Sequence, residues 1–234
     1  RFKRVYAKTG IPFLGSSEIL QVNPIAKKFL SESHFKEKKE LFVEDGWVLL
    51  SRSGTIGNIV FATKTFQGVA ISDHVIRLIP KNFEDACFLY IYLKTEPAQR
   101  IIFGVQFGSV VPEIDPKEFD KIPIPIMPQK IKEEITNDVK KINSLRTDVI
   151  ELFQKSDTML HELLDLTPLN EMSPKYLNKE NNVFNIDLKN LENRFDGSYH
   201  IPLVGEIVSN LKKSKFEVVT VKDKRISSET ILPG

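Results

Sequence analysis

The chain has 234 residues, of which 41% are hydrophobic and 27% charged, a profile typical of globular proteins with a sizeable core. Its single cysteine, Cys87, excludes an internal disulfide bond. No apolar run approaches the roughly 18 residues that a membrane-spanning helix requires, so we expect a cytoplasmic protein.

The net charge of +2 is unevenly distributed along the chain. The first 40 residues carry nine Lys or Arg against four Asp or Glu. Basic residues at positions 1, 3, 4 and 8 alternate with apolar ones, which indicates a strand with one basic face. Such a strand suits contact with phosphates. The alternative is an ordinary solvated surface, which is the commoner explanation for any single charge cluster.

The pattern of residues 1–128 predicts an irregular domain that is rich in short strands. Apolar runs interrupted by Gly, Pro, Asn and Asp indicate strands at Ile11–Leu14, Trp47–Leu50, Ile59–Phe61 and Val75–Ile79. Helices are expected at Ile19–Leu30, Asp85–Leu93 and Glu96–Ile102. The domain ends in Ile122–Pro128, where alternating Ile and Pro predict an extended arm because each proline biases its predecessor away from helix.

A loop of hydroxyl side chains, one arginine and two glycines joins two of these strands. It reads Ser51-Arg52-Ser53-Gly54-Thr55-Ile56-Gly57. The glycines permit backbone angles that other residues resist, and we expect Arg52, Ser53 and Thr55 to face solvent as donors. No nucleophile–base set lies nearby, so the loop suits phosphates or base edges better than catalysis. The alternative is a structural hairpin whose hydroxyls bond to their own backbone.

A long helix is predicted from Gln129 to Leu166, where the chain contains neither Pro nor Gly. Apolar residues recur every three or four positions, and the helix would span on the order of 55 Å. Because the chain has no second long helix, we expect an antiparallel or dimeric coiled coil; the alternative is a core helix of a larger bundle. The residues expected at this subunit interface are Ile135, Val139, Ile142, Leu145, Val149 and Leu152.

Beyond this helix the sequence predicts a polar linker over residues 167–186, followed by a new element over residues 187–234. Within that element we expect a short amphipathic helix at Leu203–Lys213 and a β-prone run at Phe216–Val221. The helix needs a surface to cover its apolar face, and we expect the domain that starts at Arg1, in the same chain or a neighbouring one, to supply it.

The order of these features resembles one half of a type I restriction–modification specificity subunit. The resemblance covers residues 1–166 and rests on Ile11-Pro12-Phe13-Leu14, the loop at 51–57, His74, Phe107-Gly108-Ser109, Ile122-Pro123-Ile124-Pro125 and the long helix. Family members hold two target recognition domains, each followed by a long helix that packs as a spacer. The segment Asn193–His200 resembles the opening of such a domain, so residues 187–234 are expected to begin a second domain or to complete a permuted first one.

The resemblance implies an α+β fold, with a β-rich target recognition domain at 1–128 and a coiled-coil-type spacer helix at 129–166. It implies sequence-specific binding of double-stranded DNA and docking of methyltransferase and restriction/translocase subunits. A half-length chain would form a homodimer to present two recognition domains. We expect Lys3 to contact phosphate and an arginine to approach base edges. The residues expected at DNA are Lys3, Arg4, Ser16, Ser17, Arg52, Ser53, Thr55 and Ser109.

The sequence has no recognisable catalytic motif. It lacks the Asn/Asp-Pro-Pro-Tyr/Phe loop of a methyltransferase and the phosphate-binding loop of a nucleotide-driven motor. His74 is expected to be structural, and Glu113 and Asp115 to be surface or loop-capping groups. We therefore expect no catalysis, no cofactor and no metal. Two alternatives stay open, namely an oligomeric protein-interaction module without DNA binding and the recognition domain of a fused restriction–methylation enzyme.

Overall fold

A computed structural model of the protein describes residues 4–35, 39–108, 112–167, 185–188, 191, 195–197, 200–227 and 229. The chain divides into two compact units, Arg1–Ile150 and Glu151–Gly234. Both helices and short strands are present, so the expected α+β class is confirmed. The strands are β1 (Tyr6–Ala7), β2 (Ile11–Leu14), β3 (Lys28–Leu30), β4 (Val48–Ser51), β5 (Ile59–Phe61), β6 (Ala70–Ile71), β7 (Val75–Leu78), β8 (Gln106–Phe107) and β9 (Glu113–Ile114). The helices are α1 (Glu32–Phe35), α2 (Phe83–Lys94), α3 (Glu96–Gly104), α4 (Pro116–Phe119), α5 (Gln129–Leu164) and α6 (Pro202–Lys213).

Two small sheets form the framework of the first unit. One has the strand order β1-β3-β2-β6, in which β2 runs parallel to β6 and the other pairs are antiparallel. The other has the order β5-β4-β7 and is antiparallel throughout. Strands β8 and β9 form a separate ladder. The sheets are small because Gly, Pro and Asn interrupt each apolar run after a few residues.

The central strand β4 is buried along its whole length, and its alternate side chains enter two different cores. Val48 and Leu50 pack with α2 residues such as Tyr90 and Leu93. Leu49 faces the other way and packs in a second cluster with β2. An apolar strand without polar alternation is what burial on both faces requires.

The helix predicted at Ile19–Leu30 is wrong. Residues Glu18–Leu20 form a single 3-10 turn, and Lys28–Leu30 is strand β3, which pairs with β1 and β2. Pro24 lies between them, and its ring excludes a continuous helix. The other two helices of this region, α2 and α3, form where expected, and the Asn82 side chain caps α2 by accepting from the Asp85 N–H at 2.8 Å.

The first half of α5 belongs to the first unit. Thr136 and Val139 are buried, and Ile135 packs against the same core as α2. At its start Lys132 pairs with Asp85, and the Lys132 Nζ–Asp85 Oδ1 distance is 2.5 Å. Val139 therefore lies in the core of its own domain. Its prediction as a residue of the subunit interface is corrected. A helix of this length can be covered in part by the domain that precedes it.

The second half of α5 and the residues that follow form the second unit. Every side chain from 151 to 160 is exposed. Helix α6 forms close to its expected position, whereas the run Phe216–Val221 contains no strand and leads into turns that end at residue 226. Most of the predicted linker, 167–186, and half of the segment Asn193–His200 lie outside the described residues. No helix in the described ranges is both long and apolar enough to span a membrane.

Candidate nucleic-acid interface

Residues 51–58 join β4 to β5, and we call them the glycine loop. Backbone hydrogen bonds link the two ends of this loop. Ser51 N–H donates to the Asn58 carbonyl at 3.0 Å, and Gly57 N–H donates back to the Ser51 carbonyl at 3.3 Å. Gly54 and Gly57 have φ angles of 75° and 82°, the left-handed region that glycine adopts without strain. Gly54 lies at the exposed tip, where nothing stands within 4 Å of a Cβ built on it.

The hydroxyl groups of the glycine loop are bonded within the chain. The Thr55 and Ser51 hydroxyl oxygens lie 2.6 Å apart, and the Ser53 hydroxyl lies 3.1 Å from His74 Nδ1. Ser53 and Thr55, which were expected to face solvent as donors, are only partly exposed, and β4 and the residues before β7 provide partners for their hydroxyl groups. This geometry favours the alternative of a structural hairpin for these two side chains.

Arg52 is tied to strand β9. Its guanidinium donates to Glu113 Oε2 at 3.1 Å, and both side chains are about a quarter exposed, at 25% and 26%. The backbone carbonyl of Arg52 accepts from the Ile114 N–H at 2.9 Å, which extends the β8–β9 ladder onto the loop. Arg52 Nε is buried and has no hydrogen-bond partner among the described residues. The side chain is thus oriented by one carboxylate but keeps donor capacity.

The residues 72–74, which we call the central turn, join the loop to the amino-terminal region. Arg4 forms an ion pair with Asp73, and its guanidinium lies 5.4 Å from the ring centroid of Phe13. The Arg52 N–H donates to the His74 carbonyl at 3.0 Å. Arg4 and Arg52, both predicted to contact DNA, therefore contact the same three-residue turn, although they are separated by 48 positions in the chain.

In the Arg4–Asp73 pair, the pKa of each side chain is shifted in the direction that favours its charged form. Burial acts to lower the pKa of Arg4, but the hydrogen bond and charge of Asp73 outweigh it and raise that pKa. Burial likewise acts to raise the pKa of Asp73, but the hydrogen bond and charge of Arg4 bring it below its ordinary 3.8. The pair is therefore fully charged at neutral pH.

A half-buried arginine, Arg77, holds the central turn in place from strand β7. Its guanidinium donates to the carbonyls of Val75 at 2.7 Å and Ile71 at 2.6 Å, with longer bonds to Ser72 and Leu41. Burial lowers the pKa of Arg77, and the charges of Asp73 and Glu40 oppose that shift. By donating to the carbonyls of Ile71, Ser72 and Val75, this one side chain fixes the backbone that carries Asp73 and His74.

Gln99 on α3 fixes the far end of the glycine loop. Its side-chain amide donates to the Gly57 carbonyl at 2.8 Å and to the Leu93 carbonyl at 2.6 Å. A Cβ on Gly57 would stand 2.7 Å from Gln99 Oε1 and 3.2 Å from the Phe103 ring. Only glycine allows this close approach between loop and helix. The loop is thereby attached to α3, to the central turn and to β9.

Comparison with known protein families identifies this architecture. The model of the family described as type I restriction modification DNA specificity domain matches residues 2–155, which is more than half of the chain. This chain belongs to that family. The resemblance seen in the sequence is thus confirmed, and membership supports a role as a type I restriction–modification specificity subunit. A search of curated proteins found no match.

The residues proposed to contact DNA in this specificity domain fall into three groups. Arg4, Arg52, Ser53 and Thr55 lie around the central turn and the glycine loop. Ser16 and Ser17 follow β2, whose last residue, Leu14, accepts a hydrogen bond from the Ser72 N–H at 2.9 Å. Lys3 and Ser109 lie outside the described residues.

Three residues that organise this site in the specificity domain were not assigned a site role from the sequence. Glu113 was expected to be a surface or capping group, and Arg77 and Gln99 were not singled out. The partners of Glu113 and Gln99 lie 61 and 42 positions away, so only the fold brings them together, whereas Arg77 bonds to backbone carbonyls as near as that of Ile71, 6 positions away. Asp115 does cap a helix, as it accepts from the Lys117 N–H at the start of α4. Among the described residues, no group of three or more His, Cys, Asp or Glu could hold a metal ion.

Proposed function

We propose that this chain is the sequence-specific double-stranded DNA recognition subunit of a type I restriction–modification system. The observation that carries the proposal is the family match over residues 2–155. Arg4 contacts the central turn through its side chain and Arg52 through its backbone N–H, and this placement of two arginines agrees with the proposal because arginine is the side chain best suited to bind phosphate and guanine. In this role the chain reads the sequence and leaves catalysis to its partners, without a cofactor or metal of its own.

Recognition by this domain depends on a rigid loop. A guanidinium that must form two parallel bonds to guanine has to be held in one orientation before DNA arrives. Glu113 provides that orientation for Arg52, and Asp73 does so for Arg4. Each carboxylate also offsets one positive charge, which weakens attraction to phosphates of any sequence. We therefore assign base reading to Arg52 and phosphate contact to Lys3.

Partner subunits dock through α5 in this proposal. Of the six interface residues predicted from the sequence, Leu145, Val149 and Leu152 are exposed, while Ile135 and Ile142 are partly buried. The bare apolar face of the second half of α5 is suited to pack against methyltransferase helices, the restriction subunit or a second copy. The same face favours a second candidate function, an oligomeric interaction module that binds no DNA. The proposed setting is the cytoplasm, where such systems act on DNA.

Binding to duplex DNA across a salt series separates these functions. The chain, alone and with its methyltransferase subunit, is titrated into a labelled random duplex pool, and the bound duplexes are selected and sequenced. We expect one enriched target and a binding constant that falls steeply with salt. A Lys3→Ala variant should weaken all duplexes alike and reduce the salt slope by about one. Weak binding without an enriched target, in the assembled complex as well, would favour the interaction module.

A further inference from the structure

A groove of about 210 Å³ lies in the first unit, between the β-rich domain and the first half of α5. Residues of the 19–24 and 58–66 segments form one wall. The other wall is one face of α5, with spacings of three and four: Asn143, Arg146, Thr147 and Ile150. Asn58, the last residue of the glycine loop, lines the groove, but none of the residues proposed to contact DNA does.

The charge in this groove is positive and has no counterion among the described residues. Lys94 and Arg146 line it, and none of the residues that line it is acidic. Both cations meet the same buried tyrosine, Tyr90: Lys94 Nζ lies 5.2 Å from the ring centroid, and Arg146 donates to the hydroxyl at 3.1 Å. Two positive charges that contact one tyrosine repel each other, so an anion in the groove would be stabilised.

The groove also contains an acceptor that needs a donor. Asn143 Oδ1 is buried and has no hydrogen-bond partner among the described residues. Such an unpaired acceptor destabilises the unoccupied groove, so an occupant with an N–H group would be bound more strongly. Beside it the wall is apolar, with Ile59 and Ile150. A fitting occupant therefore offers a negative charge, a donor and an apolar group together.

We propose that this groove binds an acidic extended segment of a partner protein. A carboxylate lies beside Lys94 and Arg146, a backbone N–H donates to Asn143 Oδ1, and an apolar side chain covers Ile150. DNA phosphates fit less well, since they provide only acceptors and no apolar group. The volume is below the roughly 300 Å³ at which pockets for drug-sized ligands begin, so it accommodates side chains rather than a cofactor.

Fluorescence anisotropy with a defined probe tests the proposal on the full chain. The probe is a short fluorescein-labelled peptide in which glutamate and leucine alternate, and its lysine–leucine counterpart is the control peptide. We expect the acidic peptide alone to bind. Arg146→Gln should weaken that binding about tenfold, because it removes one charge of a pair. Lys141→Gln, an exposed lysine of α5 that does not line the groove, is the matched control and should change nothing.

Asn143→Leu separates binding from folding. It removes the unpaired carbonyl, so the thermal midpoint should stay the same or rise while the peptide affinity falls. A falling midpoint, equal binding of both peptides, or equal effects of Arg146→Gln and Lys141→Gln would overturn the proposal. The proposal would also be overturned if Arg146→Gln lowered the affinity for random duplex DNA and left peptide binding intact, because that result would assign the groove to phosphates. Because the peptide assay contains no DNA, its outcome is independent of whether the chain recognises a DNA target.

Discussion

The two halves of α5 have a similar apolar spacing and different surroundings. Both carry apolar residues at spacings of three and four. In the first half Val139 has no exposed surface and lies in the same core as α2. In the second half Leu152 and Phe153 are 62% and 64% exposed. The difference shows that an apolar stripe indicates a covered face but does not identify the surface that covers it.

The largest expected effect separates these halves directly. Val139→Asp places an unpaired carboxylate in the core and should lower the free energy of unfolding by about 3 to 5 kcal/mol. Leu152→Asp, at an exposed position, should change it by less than about 0.5 kcal/mol. Urea denaturation of both variants at low protein concentration measures the difference. Equal losses would mean that the second half is covered as well.

Association provides the reverse test for Leu152→Asp. If a partner helix packs on the second half of α5, this variant should lose self-association or methyltransferase binding in sedimentation experiments. Lys155→Asp is a suitable control, because it introduces negative charge nearby without removing an apolar group. Unchanged sedimentation of the Leu152 variant would exclude this face as the docking surface.

The glycine loop contains a similar contrast between a covered and an open position. Gly57→Ala combines a positive φ with a Cβ 2.7 Å from Gln99 Oε1, and should cost about 2 to 3 kcal/mol of stability. Gly54→Ala has the positive φ alone and should cost about 1 kcal/mol. Thermal denaturation compares the two. A smaller loss at Gly57 than at Gly54 would contradict the attachment of the loop to α3.

The role of the loop in recognition is tested at Arg52 and its partner. Arg52→Ala should weaken binding to the selected target by roughly 1–3 kcal/mol and have little effect on random DNA. Glu113→Gln keeps the size of the side chain but removes the charge that orients Arg52. It should strengthen binding to random DNA and so reduce the difference in affinity between the selected target and random DNA. Anisotropy on both duplexes measures these changes. If Arg52→Ala weakened both duplexes equally, Arg52 would be a phosphate contact.

The smallest expected effect concerns pH and the Arg4–Asp73 pair. Arg4 lowers the pKa of Asp73 in the folded state, so the pair stabilises the fold at pH values above the ordinary 3.8. That contribution is lost as pH falls through the lowered pKa. Since both side chains are partly exposed, we expect less than about 1 kcal/mol. Asp73→Asn should reduce stability at pH 7 and leave it unchanged at the acid end; the same loss at both pH values would contradict this.

Much of the fold could be predicted from local pattern. The β2 and β5 strands and the start of α5 form where apolar runs and breakers place them. Strands of two or three residues, such as β6 and β9, carry too few residues for a periodic signal. Strand β3 forms where the apolar spacing predicts a helix, because Pro24 interrupts any helix that would reach it.

The candidate site was harder to predict than the fold. The composition of the loop indicated Arg52 and Ser53 as site residues. The sequence could not show that Glu113 and His74 are their hydrogen-bond partners. Those partners come from other strands, and pairing between distant segments leaves no local pattern in a single sequence. Arg77 had no marker either, since its acceptors are backbone carbonyls that any residue type provides.

The central turn has a consequence for how the protein opens. Leu14, Arg52 and Arg77 come from three separate strands or loops, and each is hydrogen-bonded to residues 71–75. A local opening of the glycine loop would have to break bonds to two sheets at once. The amide protons of Arg52 and Ser72 should therefore exchange with deuterated water only when the whole first unit unfolds. The glycine loop, the central turn and the core would then exchange as a single cooperative element.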